Sequence, residues 1–350
     1  MDRIKAFLKR KDIEFSVKRY LQDALSAMAL GLFGTLLIGT ILKTLGEQVL
    51  LHVITDGTAG QIAAFLVKTG GDAMQMMGAA IGVAVAWSLR APNLVVFCSV
   101  VTGTAGAALG GPAGAFISAA IGAELGKAVS KETKIDIIVT PAVVVIAGAL
   151  AAKLIGPGVA ALMKGLGAII MDATKMNPFT MGIIVSVVVG LVLTAPISSA
   201  ALCIMLKLSG LAGGAAVAGC CAQMVGFAVA SFRENGVGGL AAQGIGTSML
   251  QVSNIIKHPL ILVPPTLAAA VVGPVSTLVF HMECTDVGAG MGTCGLVGQI
   301  GTFTAMGFSG TVLVQILIVH ILLPALVAFL TDRFMRKMSW IHDGDYALDL

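Results

Sequence analysis

Residues 231–259 read SFRENGVGGLAAQGIGTSMLQVSNIIKHP, and this stretch decides how the chain folds. It lies between two long apolar runs and is neither a good membrane span nor a good loop. Arg233, Glu234 and Asn235 close the apolar run before it. Gly236, Gly238, Gly239, Gly244 and Gly246 follow, interleaved with the donors and acceptors of Gln243, Thr247, Ser248, Gln251, Ser253 and Asn254. In hydrocarbon, backbone groups freed by a broken helix must be satisfied by protein or by a watery cavity. Residues 241–250 are too apolar for an ordinary loop and too short to span. A re-entrant hairpin lining a cavity therefore fits better than a cytoplasmic loop carrying a short amphipathic helix.

The composition agrees with a membrane setting. Of the 350 residues 57% are hydrophobic and 11% are charged, against about 25% charged in soluble proteins. Mean hydropathy is +0.96. The 44 glycines suit helices that approach one another closely. Cys98, Cys203, Cys220, Cys221, Cys284 and Cys294 contain no C-x-x-C pair, and no histidine is spaced for zinc. They read as small buried residues, with no disulfide framework and no metal or cofactor site.

Residues 1–20 form a basic amphipathic segment with Arg3, Lys5, Lys9, Arg10, Lys11, Lys18 and Arg19, and with Ile4, Phe7, Leu8, Ile13 and Phe15 as apolar contacts. Such a patch suits the cytoplasmic membrane face better than nucleic acid. Apolar runs follow at 21–45, 73–89, 135–155, 179–206, 211–232, 260–280 and 311–330. Residues 94–129 are broken by Gly103, Gly106, Gly110, Gly111 and Pro112, and read as two short helices that dip in and return. The expected fold is all-α and polytopic, with eight to ten transmembrane helices, two glycine-rich re-entrant hairpins and an internal repeat. The transmembrane domain covers 21–332 and a cytoplasmic tail 333–350. Arg333, Arg336 and Lys337 beside the last span, with the basic N-terminus, place both ends in the cytoplasm, so the number of crossings is even. The repeat pairs MGAAIGVAVAWSLRAP (77–92) with MGIIVSVVVGLVLTAP (181–196) without gaps. Duplicated halves are common in transporters, with the site at their interface.

Polar residues at span breaks are the binding candidates. Asn177 precedes Pro178, and Ser198 and Ser199 follow Pro196; their hydroxyls either form a polyol-binding edge or bond back to their own helix. Arg233, Glu234, Asn235 and Gln243 belong to the first glycine-rich segment. Glu283, Asp286 and Gln299 belong to the second, HMECTDVGAGMGTCGLVGQIGTF (281–303), where a carboxylate can accept hydrogen bonds from sugar hydroxyls. Both breaks are tolerable at depth if they share one cavity, so Glu283 is expected beside the 233–235 group. Gly290, Gly292 and Gly295 satisfy G-x-G-x-x-G, but the context is a membrane run, not a strand entering a helix. No Walker motif and no nucleophile–base pair stands in the sequence, so no catalytic residue is assigned.

Four segments carry a resemblance: NPFTMG (177–182), LTAPISSAAL (193–202), RENGVGGLAAQGIGTSMLQ (233–251) and GAGMGTCGLVGQ (288–299). They resemble the integral-membrane IIC subunits of the bacterial phosphotransferase system, in the IIC-like family that includes perfringolysin-regulator-type proteins. The resemblance runs through most of 77–330. It implies a homodimeric permease of the inner membrane that translocates a sugar or related polyol, with separate IIA and IIB proteins supplying phosphorylation. Glucose-type IIC proteins place a histidine and a glutamate at the sugar; His281 and Glu283 stand in a different motif, and no catalytic role carries over. A non-transporting membrane sensor that regulates gene expression and an ion-coupled secondary transporter are the rival readings.

Overall fold

A computed structural model describes residues 2–16, 18–52 and 58–348. The protein is an all-α polytopic membrane protein. Among the described residues, six helical stretches are long and apolar enough to cross a bilayer, and Met77–Ser88 and Pro178–Thr194 are shorter apolar helices. Among the described residues, β pairing is confined to one antiparallel bridge between Gly210 and Cys284. The chain divides into two compact units, Met1–Lys43 with Ala64–Leu162, and Thr44–Ala63 with Met163–Leu350.

The first unit holds α1 (Asp2–Arg10), most of α2 (Leu25–Glu47) and of α3 (Thr58–Gln75), α4 (Met77–Ser88), α5 (Asn93–Val129) and the start of α6 (Asp136–Ala173). Helix α5 is not one rod. A straight helix would separate Val95 from Gly126 by about 46 Å, yet Val95 Cγ1 lies 2.9 Å from where a Gly126 Cβ would stand. The chain reverses at Gly110 (φ −145°) and Gly111 (φ 58°, ψ −149°), immediately before Pro112. Gly111 occupies a region essentially closed to other residues, and Pro112 suits the first turn of the returning arm. The arms, 93–109 and 112–129, are each roughly 26 Å long. The reversal into two arms is the one that the glycines of 94–129 predict.

One end of this unit is tied by charge. Arg19 donates to Asp12 Oδ1 (3.0 Å), Asp12 Oδ2 (2.6 Å) and the Leu89 carbonyl (2.9 Å). Lys127 donates to the same carbonyl (3.0 Å) and pairs with Glu124. Arg10 and Lys11 both meet Glu132. The hydrogen bonds from Arg19 hold the Asp12 carboxyl below the ordinary aspartate value. Of the apolar contacts expected in the N-terminal segment, Ile13 is buried, while Phe15 is exposed and stacks on Tyr20 at 6.3 Å.

The second unit is built around α9 (Gly210–Ala230), buried along most of its length. Around it stand α7 (Pro178–Thr194), α8 (Ser199–Met205), α10 (Phe232–Ala241), α11 (Val252–Lys257), α12 (Pro259–Val279), α13 (Val297–Met306) and α14 (Gly310–Lys337). The close approach rests on α9 glycines. A Cβ on Gly219 would collide with the Ser186 carbonyl of α7, and one on Gly214 with the Met282 carbonyl. Ser186 in turn donates to the Ala269 carbonyl of α12 at 2.8 Å. Ala218, Ala222, Ala268, Ala269, Val272, Val312, Ile316, Val319 and Ala328 close the core between α9, α12 and α14. Each unit holds one copy of the sequence repeat. In both, an apolar helix ends shortly before a proline (Pro92, Pro196) and a second helix starts just after it.

Gly219→Ala should therefore lower the unfolding temperature in detergent, since overpacking a filled core costs about 1–3 kcal/mol. Gly165→Ala, where an added Cβ meets nothing within 4 Å, should leave it unchanged or raise it slightly, because alanine is the better helix former. Thermal melts of the two variants side by side check this; an equal response in both would contradict the packing assigned to α9.

Candidate functional site

Two broken segments enter the second unit from opposite ends of α9. The first, residues 231–258, starts where α9 stops and returns to the head of α12. Helix α10 breaks at Gly236 (φ 58°), its tip Ala242–Gly246 is a π-turn, and Thr247 caps the short turn Ser248–Gln251 by accepting from Met249 N–H. The second, residues 281–306, starts beside the other end of α9, where Cys284 pairs with Gly210. Thr285 caps its first turn, and Gly292 and Gly295 take positive φ at its tip. A Cβ on Gly292 would press against Cys220, and Thr293 donates to Met224 Sδ. Gly244 of the first tip lies beside Ala228. The tips 242–246 and 294–296 pack together there. Counting along α9, Cys220 is about 15 Å from Gly210, and Met224 about 9 Å from Ala230. The second tip thus reaches well inside the helix, and the first meets α9 nearer its Ala230 end.

Polar side chains gather at this level. Thr194, the last residue of α7, lies 2.8 Å from Ser248 Oγ and 3.3 Å from Gln223 Oε1, and Gln223 Nε2 donates to Thr266 Oγ1 at 3.1 Å. Four elements contribute to this buried cluster. A second cluster joins α9, α13 and α14. Gln299 Nε2 lies 3.4 Å from Cys221 Sγ and 3.3 Å from His320 Nδ1. His320 sits in a π-turn of α14, Leu317–Leu322; such turns are rare and frequent at functional sites. Gln299 Oε1 and His320 Nε2 are buried with no protein partner.

The residues singled out from sequence divide by position. Asn177 and Ser198 are N-caps, accepting from Thr180 N–H (2.9 Å) and Ala201 N–H (3.2 Å), a role their side chains favour. Ser199 is buried and donates to the Gly290 carbonyl at 2.6 Å, fastening α8 to the second segment. Gln243 lies at the first tip and Gln299 beside the second. Asp286 accepts from the Val287 N–H. Glu283 is exposed at the Gly210 end of α9, with its backbone N–H towards Met306 Sδ. Arg233, Glu234 and Asn235 stand past the Ala230 end, so Glu283 and the 233–235 group are not in one cavity. Glu234 pairs with Arg336 (2.9 Å), Arg233 faces Asp343 (3.8 Å), and Asn235 bonds to Tyr346 and Leu348. Burial, and next the Asp332 carboxylate, push the Tyr346 phenol well above its ordinary value of 10.0, so it stays protonated.

Sequence reasoning passed over Thr194, Gln223, Thr266 and His320. Their signal is a lone polar residue in an apolar run, which at membrane depth marks interior contacts or a pathway.

The comparisons with known proteins add one finding. Residues 22–348 match the family model described as "Phosphotransferase system, EIIC". No curated protein and no solved structure matches the chain. A match over nearly the whole sequence, on a polytopic helical frame, makes this chain a member of the phosphotransferase-system EIIC family, the membrane-embedded sugar permease subunits of that system.

Proposed function

We propose that the chain binds a sugar or related polyol where the two broken segments meet and carries it across the inner membrane, coupled to phosphorylation by separate IIA and IIB proteins. The observation that carries this reading is the meeting of two glycine-rich tips beside Cys220–Ala228, ringed by amide and hydroxyl side chains. Such a ring offers both donors and acceptors, and every hydroxyl of a polyol is both. With Gln299 donating to His320 Nδ1, His320 Nε2 carries its proton. One ligand hydroxyl could then accept from Nε2 and donate to Gln299 Oε1, satisfying two buried groups at once. Broken helices at the centre of a transporter are a recurrent way to expose such groups to a substrate. Ser199, Gln243 and Gln299 are the sequence candidates nearest the tips; Glu283 and Asp286 would meet the ligand at the Gly210 end. No residue is assigned a catalytic role, and the phosphoryl group would come from the partner proteins.

A thermal-shift screen of sugars and polyols on the purified protein should find a ligand that raises the unfolding temperature in proportion to ln(1 + [L]/Kd). Gln223→Leu should then weaken that ligand up to about tenfold, the net worth of one hydrogen bond of about 0.5–1.5 kcal/mol. Vesicle uptake with soluble phosphotransfer proteins should fall with it. Undiminished binding and uptake in Gln223→Leu would remove the tips as the site.

Both termini are proposed to be cytoplasmic. The first unit gathers Arg10, Lys11, Arg19, Arg90, Lys127, Lys131 and Lys134 near one end, and α14 ends on Arg333, Arg336 and Lys337. That is the bias expected of cytoplasmic loops. Reporter fusions at residues 1 and 350 should both read cytoplasmic; opposite readings would reverse this assignment.

The chain is also proposed to act as a homodimer, as its family resemblance implies. Exposed apolar faces such as that of Trp87 and Phe97 are available for such contacts. Native mass spectrometry in mild detergent should show a dimer of 35.5 kDa chains; monomer alone would count against it.

A further inference from the structure

The residues after α14 do not leave the protein. Trp340 onward turns back, and Tyr346 is fully buried against Phe227 and beneath Arg336. What holds this segment is side-chain amides reading its backbone. Asn235 Nδ2 donates to the Tyr346 carbonyl at 2.9 Å, and Asn235 Oδ1 accepts from the Leu348 N–H at 2.8 Å. Gln251 Nε2 donates to the same Tyr346 carbonyl at 3.0 Å, and Asn254 Nδ2 to the Ala347 carbonyl at 2.8 Å. Asn235 is on the outgoing arm of the first broken segment; Gln251 and Asn254 are on the returning arm. The C-terminal segment therefore lies across both arms.

The grip extends to the tip. Gln251 Nε2 also donates to Gln243 Oε1 at 2.9 Å, and Gln243 Nε2 donates to Ser231 Oγ at 2.7 Å. An unbroken run of amides thus joins Tyr346 to the residue at the first tip. Arg336 locks the base of the segment, with Asp332 (2.8 Å), Glu234 (2.9 Å) and Asp343 (2.9 Å) around one guanidinium.

We propose that residues 339–348 are a strap that holds the first broken segment against the second, and that access to the tips from the Ala230 end of α9 requires the strap to let go. Asn235, Gln251, Asn254 and Tyr346 are positioning residues in this scheme; none needs to touch the transported molecule. The functional meaning rests on the ligand lying at the tips. The test below reads no transport, so it can fail or succeed independently of that assignment.

The buried thiols supply the readout. Cys294 stands at the second tip, packed against residues 242–246, while Cys203 and Cys284 are buried towards the Gly210 end. The full chain in lipid nanodiscs is treated with a charged maleimide, and labelling at each cysteine is followed by mass spectrometry. Two variants are compared with wild type: a chain ending at Met338, and full-length Asn254→Ala. Both should label Cys294 at least tenfold faster, with Cys203 and Cys284 unchanged. Cys294 rates within twofold of wild type would overturn the strap. A parallel rise at Cys203 and Cys284 would also overturn it, since the segment would then only stabilise the fold. So would a rise in the shortened chain alone, because the hold would not run through the amides.

Discussion

Helix α9 can be surrounded on all sides because it carries so little side chain. Gly214, Gly219 and Gly226 let the Met282 carbonyl, the Ser186 carbonyl and Pro265 come to the helix surface itself. In lipid no hydrophobic effect drives helices together, so close packing and interhelical hydrogen bonds carry much of the association. Everything that gives the second unit its interior follows from this approach. Helices α7 and α12 stand near enough for Ser186 to bond to Ala269, and the second broken segment can lay Gly292 on Cys220. A larger helix at this position would keep the two tips apart.

Breaking helices inside such a core leaves backbone and side-chain groups to satisfy without water. The protein does so with amides and hydroxyls instead of charges. Gln223, Gln243, Gln251, Asn254 and Gln299 are all buried, and each has a partner on another element or across its own hairpin. A buried charge needs several compensating contacts, whereas a neutral amide is satisfied by two or three. The densest charge cluster of this unit stands past the Ala230 end, where Arg336 meets three carboxylates.

Much of this was legible in the sequence. The reversal inside α5 is written in Gly110-Gly111-Pro112, and the two broken segments in their glycines and amides, because backbone conformation is a local property. The sharing of one cavity by Glu283 and Arg233 was not a sound expectation. Each does sit at the boundary of a span, but the intervening α12, 21 residues long, carries the chain from one end of the unit to the other. The roles of Asn177 and Ser198 follow from the helix that each precedes. What no local pattern could announce is the destination of the tail. Asn235 looks like a polar residue at a membrane edge until Tyr346 folds back onto it from 111 positions away. Lone polar residues such as Gln223 and His320 were visible, but their partners were set by packing between distant helices.

That separation also has a consequence for biogenesis. At about 5–20 residues per second, the ribosome takes roughly 6–22 s to go from Asn235 to Tyr346, 111 residues later. During that interval α12, the second broken segment and α14 are made, while the amides of the first segment wait for the carbonyls that will receive them. The first broken segment is thus fastened only after residues 346–348 have been made. Until then Gln251 and Asn254 keep their bonds to Gln243 and to each other, but each lacks the backbone carbonyl of the C-terminal segment to which it finally donates.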